Sequence, residues 1–399
     1  MESFFPSPFP GVTGRERLLT ALAHREPDRI PLDLGSTQVT GIHVIAYQKL
    51  RQALGLPAVK AQPYDSIQGL AIPDEDLIAR LGVDVRGMNP LNSHNWKVIE
   101  TEIQDEKSGE LYWSYHDEWG ITHRKPRPDG LYFSLWQAPL DKPELTSQDI
   151  LNHAWPRMDD PQRIAGLREK AEAYRAAGYA VVLKDPFAGI FEMAQRIVGM
   201  ENLLMMMASD AALAGVLFDR LTELKLGFWD MALPRLGDVV DVISLADDYG
   251  TQVSQIISPR MFRQQIKPKW QAVFDRVRTL APHARRFFHS CGNVRPLIPD
   301  FIEIGVEILN PVHIRATGME PAALKRDFGD VLSFWGGAVD TQGVLPYGTP
   351  QEVRDDVKRN LEALAPGGGY VFNTVHNIQA DVPVENIMAM YEALLGRTL

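Results

Sequence analysis

The 399-residue sequence has one cysteine, a shortage of positive charge and no long apolar run. Each of these excludes something. A single cysteine rules out an intrachain disulfide and fits a reducing compartment. A formal net charge of -10, with no basic stretch to offset it, argues against a nucleic-acid surface. No window approaches the roughly 18 apolar residues of a membrane helix. The opening Met1-Glu2-Ser3-Phe4-Phe5-Pro6 lacks a basic region followed by an apolar core, so no signal peptide is read there. The expectation is a soluble, cytoplasmic, globular protein, and its 45% hydrophobic content is ample for a large core.

From about residue 180 onward the sequence alternates short apolar runs with helical stretches. Strands are expected at 179–184, 239–245, 285–288, 306–309, 331–334 and 370–372, with helices around 191–207 and 259–280. Near-continuous apolar strands separated by helices indicate a parallel sheet buried on both faces. Two upstream runs, 29–34 and 82–86, bring the number close to the eight of a closed barrel. The fold expected is α/β, a single (β/α)8 TIM barrel over residues 1–399, with an open doubly wound sheet as the alternative. Residues 89–145, rich in Trp, Tyr, Asp and Gly, read as an antiparallel insertion packed over one side of the barrel mouth.

In a (β/α)8 barrel the active site lies at the C-terminal ends of the strands. Asp185, Asp247, Asp248, His289, Cys291, Asn310, Asp340 and His376 all follow apolar runs there, and about half should be helix caps. His289 and Cys291 are two residues apart, so at a strand end they point to the same side. A thiolate and an imidazole are good zinc ligands, and His376 ends an equivalent strand and loop. Three ligands with a fourth position open is the pattern of a catalytic zinc; the competing reading is a buried structural Cys and His. His313 faces the same rim, while Met205–Met207 and Met388–Met390 read as core.

The segments Asp247-Asp248-Tyr249-Gly250-Thr251-Gln252, His289-Ser290-Cys291-Gly292-Asn293, Ile308-Leu309-Asn310-Pro311, Trp335-Gly336-Gly337 and His376-Asn377-Ile378-Gln379 resemble the uroporphyrinogen decarboxylase superfamily. The early Arg25-Glu26-Pro27-Asp28-Arg29-Ile30-Pro31 is similar to its branch of corrinoid (cobalamin)-dependent methyltransferases. The decarboxylase carries an Arg-Gln-Ala-Gly-Arg-Tyr signature for its acidic substrate. Here the region reads Pro31-Leu32-Asp33-Leu34-Gly35-Ser36-Thr37-Gln38 and has no arginine pair.

The methyltransferase branch uses His-x-Cys and a later residue, commonly cysteine, to bind zinc; this chain offers His376 instead. The resemblance implies a zinc-dependent enzyme moving a methyl group between a corrinoid protein and a small substrate (methoxylated aromatic, methylamine or thiol). Zinc would be bound by His289, Cys291 and His376. Asp248, Glu192, substrate or water would complete its shell, and Asp248 and His313 would contribute to the substrate pocket. The demethylating direction is favoured because the aromatic insertion could line a pocket. The alternatives are a metal-independent decarboxylase and a non-catalytic metal- or corrinoid-binding partner. A homodimer stays open.

Overall fold

The computed structural model describes residues 11–399 except 62, 66, 94 and 95; the opening segment read for a signal peptide lies outside them. In chain order the first strand is β1 (Val85–Met88). Next come β2 (Thr101–Gln104), β3 (Leu111–His116), β4 (Thr122–Pro126) and β5 (Ser134–Gln137). The later strands are β6 (Ala180–Lys184), β7 (Val242–Ala246) and β8 (Arg285–His289). The last are β9 (Ile308–Asn310), β10 (Ser333–Trp335) and β11 (Tyr370–Val371).

Strands β1 and β6 to β11 form a sheet in that order, every neighbour parallel. The sheet curls until its two edges meet on residues 31–33. Phe372 N–H donates to Pro31 O at 2.8 Å, and Asp33 N–H donates to Phe372 O at 3.0 Å. On the other side Asp84 N–H, just before β1, donates to Leu32 O at 2.9 Å. The run expected as a strand at 29–34 is therefore one parallel bridge, Leu32 to Phe372, filling the eighth place of a closed (β/α)8 barrel. Asp84 reinforces the seam: it is fully buried and pairs with Arg17 at 2.6 Å and Arg29 at 2.7 Å, and it accepts the Leu32 N–H at 2.8 Å.

Alternation along the strands sorts the side chains into two cores. Val85, Ala180, Val182, Val242, Phe287, Ile308, Trp335 and Val371 point inward and fill the barrel. Val181, Leu183, Ile243, Leu245, Phe288, Leu309 and Phe334 point outward against the helices. Each such aliphatic or aromatic side chain contributes about 1.5–3 kcal/mol on burial. The helical run expected near 191–207 is two helices, Ile190–Val198 and Met200–Ser209, because Gly199 at φ 83° breaks the first.

The insertion is antiparallel, in the order β2-β3-β4-β5. It is joined to the strand-end loops of the barrel by a Tyr132 Oη to Gln379 Oε1 hydrogen bond of 2.7 Å. Trp119 packs on Phe187 with ring centroids 4.8 Å apart.

Candidate metal centre at the barrel mouth

Above the packed interior the inward columns turn polar. Continuing two residues past Val182, Val242 and Phe287 reaches Lys184, Ser244 and His289, and the β7 column goes on to Ala246 and Asp248. These side chains, with His376, line a cavity of about 260 Å³. A second cavity of about 250 Å³ shares Gln38, Asp65, Ile67, Phe187, Ala188 and Arg196 with it. The insertion walls that second chamber with Trp96, Tyr115, Asp117, Glu118 and Trp119.

The loops after β7 and β8 interlock, which fixes Cys291. Asn293 N–H donates to Thr251 O at 2.7 Å, and Cys291 N–H donates to Asp248 Oδ1 at 2.8 Å. Gly292, at φ 83°, lies so close to Gly250 that a Cβ would come within 2.4 Å of its carbonyl carbon. His376 is placed by its neighbour Asn377, whose amide bonds Gln38 O and Gln68 Oε1 at 2.7 Å each and Gly41 N–H at 2.6 Å.

The donor atoms of His289, Cys291 and His376 all lie within 4.8 Å of one another. Cys291 Sγ and His289 Nε2 are 3.4 Å apart. Tetrahedral zinc with bonds of about 2.0–2.3 Å holds its donors about 3.3–3.6 Å apart. The triad fits such an ion after a small closure.

The protonation of the donors suits the same role. Asn310 Nδ2 donates to Trp335 O at 2.7 Å, so its Oδ1 faces His289 Nδ1. In the neutral ring that nitrogen carries the proton, and Nε2, which faces Cys291, is the one free to bind a metal. Metal-binding histidines are oriented by such a partner on the second nitrogen. Burial, with His289 and His313 nearby, lowers His376 to about 3, so it is neutral near pH 7. Burial and the charges of Asp248 and Glu192 push the Cys291 thiol well up. It would ionise only beside a cation.

Asp248 Oδ1 stands 3.6 Å from His289 Nε2, and Glu192 lines the same cavity in an ion pair with Arg196. His313 is placed differently. Its Nδ1 accepts the Gly292 N–H at 2.9 Å and its Nε2 faces Gln342 Oε1 at 3.5 Å, so it touches the Cys291 loop rather than the cavity lining.

The other strand-end carboxylates are engaged within the fold, and Asp185 also lines the cavity. Asp247 accepts the backbone N–H groups of Phe191 (2.9 Å) and Glu192 (2.8 Å), capping the helix Ile190–Val198. Asp340 accepts the N–H of Gln342 at 2.9 Å, and Asp185 pairs with buried Lys225 at 2.6 Å. The orienting role of Asn310 and the inward position of Lys184 were not anticipated. The period-two continuation from Val182 was the available signal for Lys184.

The structure superposes on a methyltransferase from Methanosarcina mazei with a TM-score of 0.61, at 18% identity over 96% of this chain and 99% of that one. An endo-1,4-beta-xylanase, XylE, from Penicillium canescens gives a TM-score of 0.33 at 9% identity, over 57% of this chain and 78% of that one. Xylanase B from Clostridium stercorarium F9 gives 0.35 at 10% identity, over 59% and 83%. No curated protein matches the sequence. Residues 141–395, well over half of the chain, match the family described as uroporphyrinogen decarboxylase (URO-D). The chain belongs to the uroporphyrinogen decarboxylase family.

Proposed function

We propose that this protein moves a methyl group between a small methylated substrate and a corrinoid carried by a partner protein, using one zinc ion held by His289, Cys291 and His376. The observation that carries the reading is the convergence of those three donors at the mouth of the barrel. The likeness in fold to a methyltransferase supports it. Zinc bound there would act as a Lewis acid on the heteroatom that bears the methyl group. His289 and His376 offer neutral nitrogens and Cys291 the one thiolate. Asp248, Glu192, substrate or water completes the shell. Asp248 contributes directly to the pocket, and His313 acts through the Cys291 loop. In the demethylating direction the methyl–heteroatom bond breaks with its electron pair on the heteroatom. A Co(I) partner supplies both electrons of the new carbon–cobalt bond.

Porphyrinogen decarboxylation has less support. A substrate with many carboxylates needs clustered cations. Lys184 and Arg196 are the cationic residues among those lining the cavity, and Arg196 is paired with Glu192.

The test has two parts. Native protein should carry about one zinc per chain, and Cys291→Ser should lose the metal while keeping the circular dichroism of the folded chain and a cooperative melting transition, lowered by the loss of the ion. Incubation with a Co(I) corrinoid protein and methoxylated aromatics, methylamines or thioethers should then consume the Co(I) absorption. The reverse run offers the methylated corrinoid protein to a thiol or tetrahydrofolate. Full zinc in Cys291→Ser, or silence in both directions with turnover of uroporphyrinogen, would overturn the proposal.

A further inference from the structure

Lys184 ends an all-buried strand, is itself only 8% exposed, and lines the cavity that holds His289, His376 and Asp248. The other cations around this cavity have partners. Lys225, behind the wall, is bound to Asp185 at 2.6 Å, and Arg196 is bound to Glu192. Of the cavity's carboxylates, Asp65 accepts the Gln68 N–H at 2.9 Å and Asp248 accepts the Cys291 N–H at 2.8 Å. The Lys184 ammonium, by contrast, makes no hydrogen bond or ion pair among the described residues, and only the more distant charges of Asp65 and Asp185 act on it.

A buried ammonium without a partner is costly, and buried polar groups in folded proteins are almost always paired. A structural lysine would be expected to reach a carboxylate, as Lys225 does. Lys184 instead faces the space where a substrate must sit.

We infer that Lys184 is a specificity-determining residue that pairs with an anionic group of the methyl substrate, so that the site takes a small methylated carboxylate in preference to its neutral or cationic counterparts. This rests on reading the cavity as the methyl-substrate site. Burial lowers the Lys184 ammonium to about 8, which still leaves it mostly charged near pH 7. The cavity of about 260 Å³ adjoins the second of about 250 Å³, with which it shares six lining residues, so the space is that of an ordinary small-molecule site of roughly 300–1,000 Å³. The first chamber, where Lys184 lies, has room for a single substituted ring or a short aliphatic acid. Phe187 supplies an apolar wall, and the Lys225 ammonium stacked 3.8 Å from its ring centre fixes that wall in place. A methylammonium substrate would place a second positive charge beside Lys184, whose ammonium has no carboxylate in hydrogen-bond or ion-pair contact among the described residues.

The experiment is a binding titration on the full chain, needing no corrinoid and no turnover. Calorimetry would compare 4-methoxybenzoate and methoxyacetate with their neutral amides and with 4-methoxybenzylamine. At least one acid should bind native protein tenfold or more tighter than its amide, and the amine should bind weakest. In Lys184→Met the acid should lose at least tenfold in affinity while the amide changes less than twofold. Lys184→Arg should restore part of the preference, and thermal melting of both variants checks that they fold. Equal affinity for acid and amide in native protein, tightest binding of the amine, or an acid affinity indifferent to Lys184→Met would overturn the inference. Charge-selective binding without methyl transfer would defeat only the proposed reaction. Methyl transfer with one KM for acid and amide in native protein and Lys184→Met would defeat only the role of Lys184.

Discussion

The side-chain amide of Asn310 donates to Trp335 O at 2.7 Å and accepts from His289 Nδ1. One carbonyl on β10 therefore sets the tautomer of an imidazole on β8. Removing such an orienting partner typically costs about 10- to 100-fold in metal affinity. Asn310→Ala should lower zinc affinity by that amount without abolishing binding, measured by competition with a chromogenic chelator. Unchanged affinity would mean that His289 keeps its orientation without Asn310. The same contact explains why Asn310 was readable as a strand-end polar residue but not as an orienter. Its partners lie 21 and 25 residues away in sequence, and only the parallel register brings them together.

At the scale of elements, the helix Ile190–Val198 begins against the end of β7. Its N-terminal N–H groups at Phe191 and Glu192 are satisfied by Asp247, more than fifty residues later in the chain. Asp247 also accepts from Trp270 Nε1 at 2.9 Å and from Tyr249 Oη. Gly189 lets the helix start come this close, since a Cβ there would lie 2.0 Å from Asp247 Cγ. Gly189→Ala should therefore destabilise the fold by about 1–3 kcal/mol, as overpacking of a filled interior does. Urea unfolding measures it; a loss below 0.5 kcal/mol, roughly the size of a surface substitution, would show that the helix start can back away. Asp247 was one of eight strand-end polar residues of which about half were expected to be helix caps. It is a cap, but of a helix that precedes β7 in the chain.

For the molecule as a whole, the decisive contact is the seam where residues 31–33 join β11 to β1. Only a few backbone hydrogen bonds hold it, so the buried carboxylate of Asp84 carries much of the burden. It faces Arg17, Arg29 and the Leu32 N–H together. Burial pushes its pKa up despite those cations. Asp84→Ala would leave buried Arg17 with Asp28, at 2.6 Å, as a remaining partner. Breaking a buried pair on one side costs about 3–5 kcal/mol when the charge is left unpaired, so a loss at the lower end, about 3 kcal/mol, is expected in urea unfolding. Exchange of the Asp33 and Phe372 amides should quicken in the same variant, since both lie on the seam. Unaltered exchange there would place the stability of the seam in packing instead.

Local pattern carried much of this protein. The near-continuous apolar runs at Val181–Leu183, Val242–Leu245 and Phe287–Phe288 were enough to mark strands, because strands of a parallel sheet are buried on both faces. Alternation of side chains along a strand put His289 and Cys291 on one side before any contact was known. It could not place His376 beside them, because that depends on Asn377 being pinned by Gln38, Gly41 and Gln68 from the other end of the chain. Nor could it tell paired Lys225 from unpaired Lys184, since both are lysines among apolar neighbours. The run at 29–34 was counted toward the eight strands of a closed barrel, but its reduction to a single bridge at Leu32 was hidden, because one bridge leaves no periodic trace. Side-chain direction is a property of a few consecutive residues. Convergence, pairing and closure arise from backbone hydrogen bonds between distant segments, which form only when the whole sheet has curled.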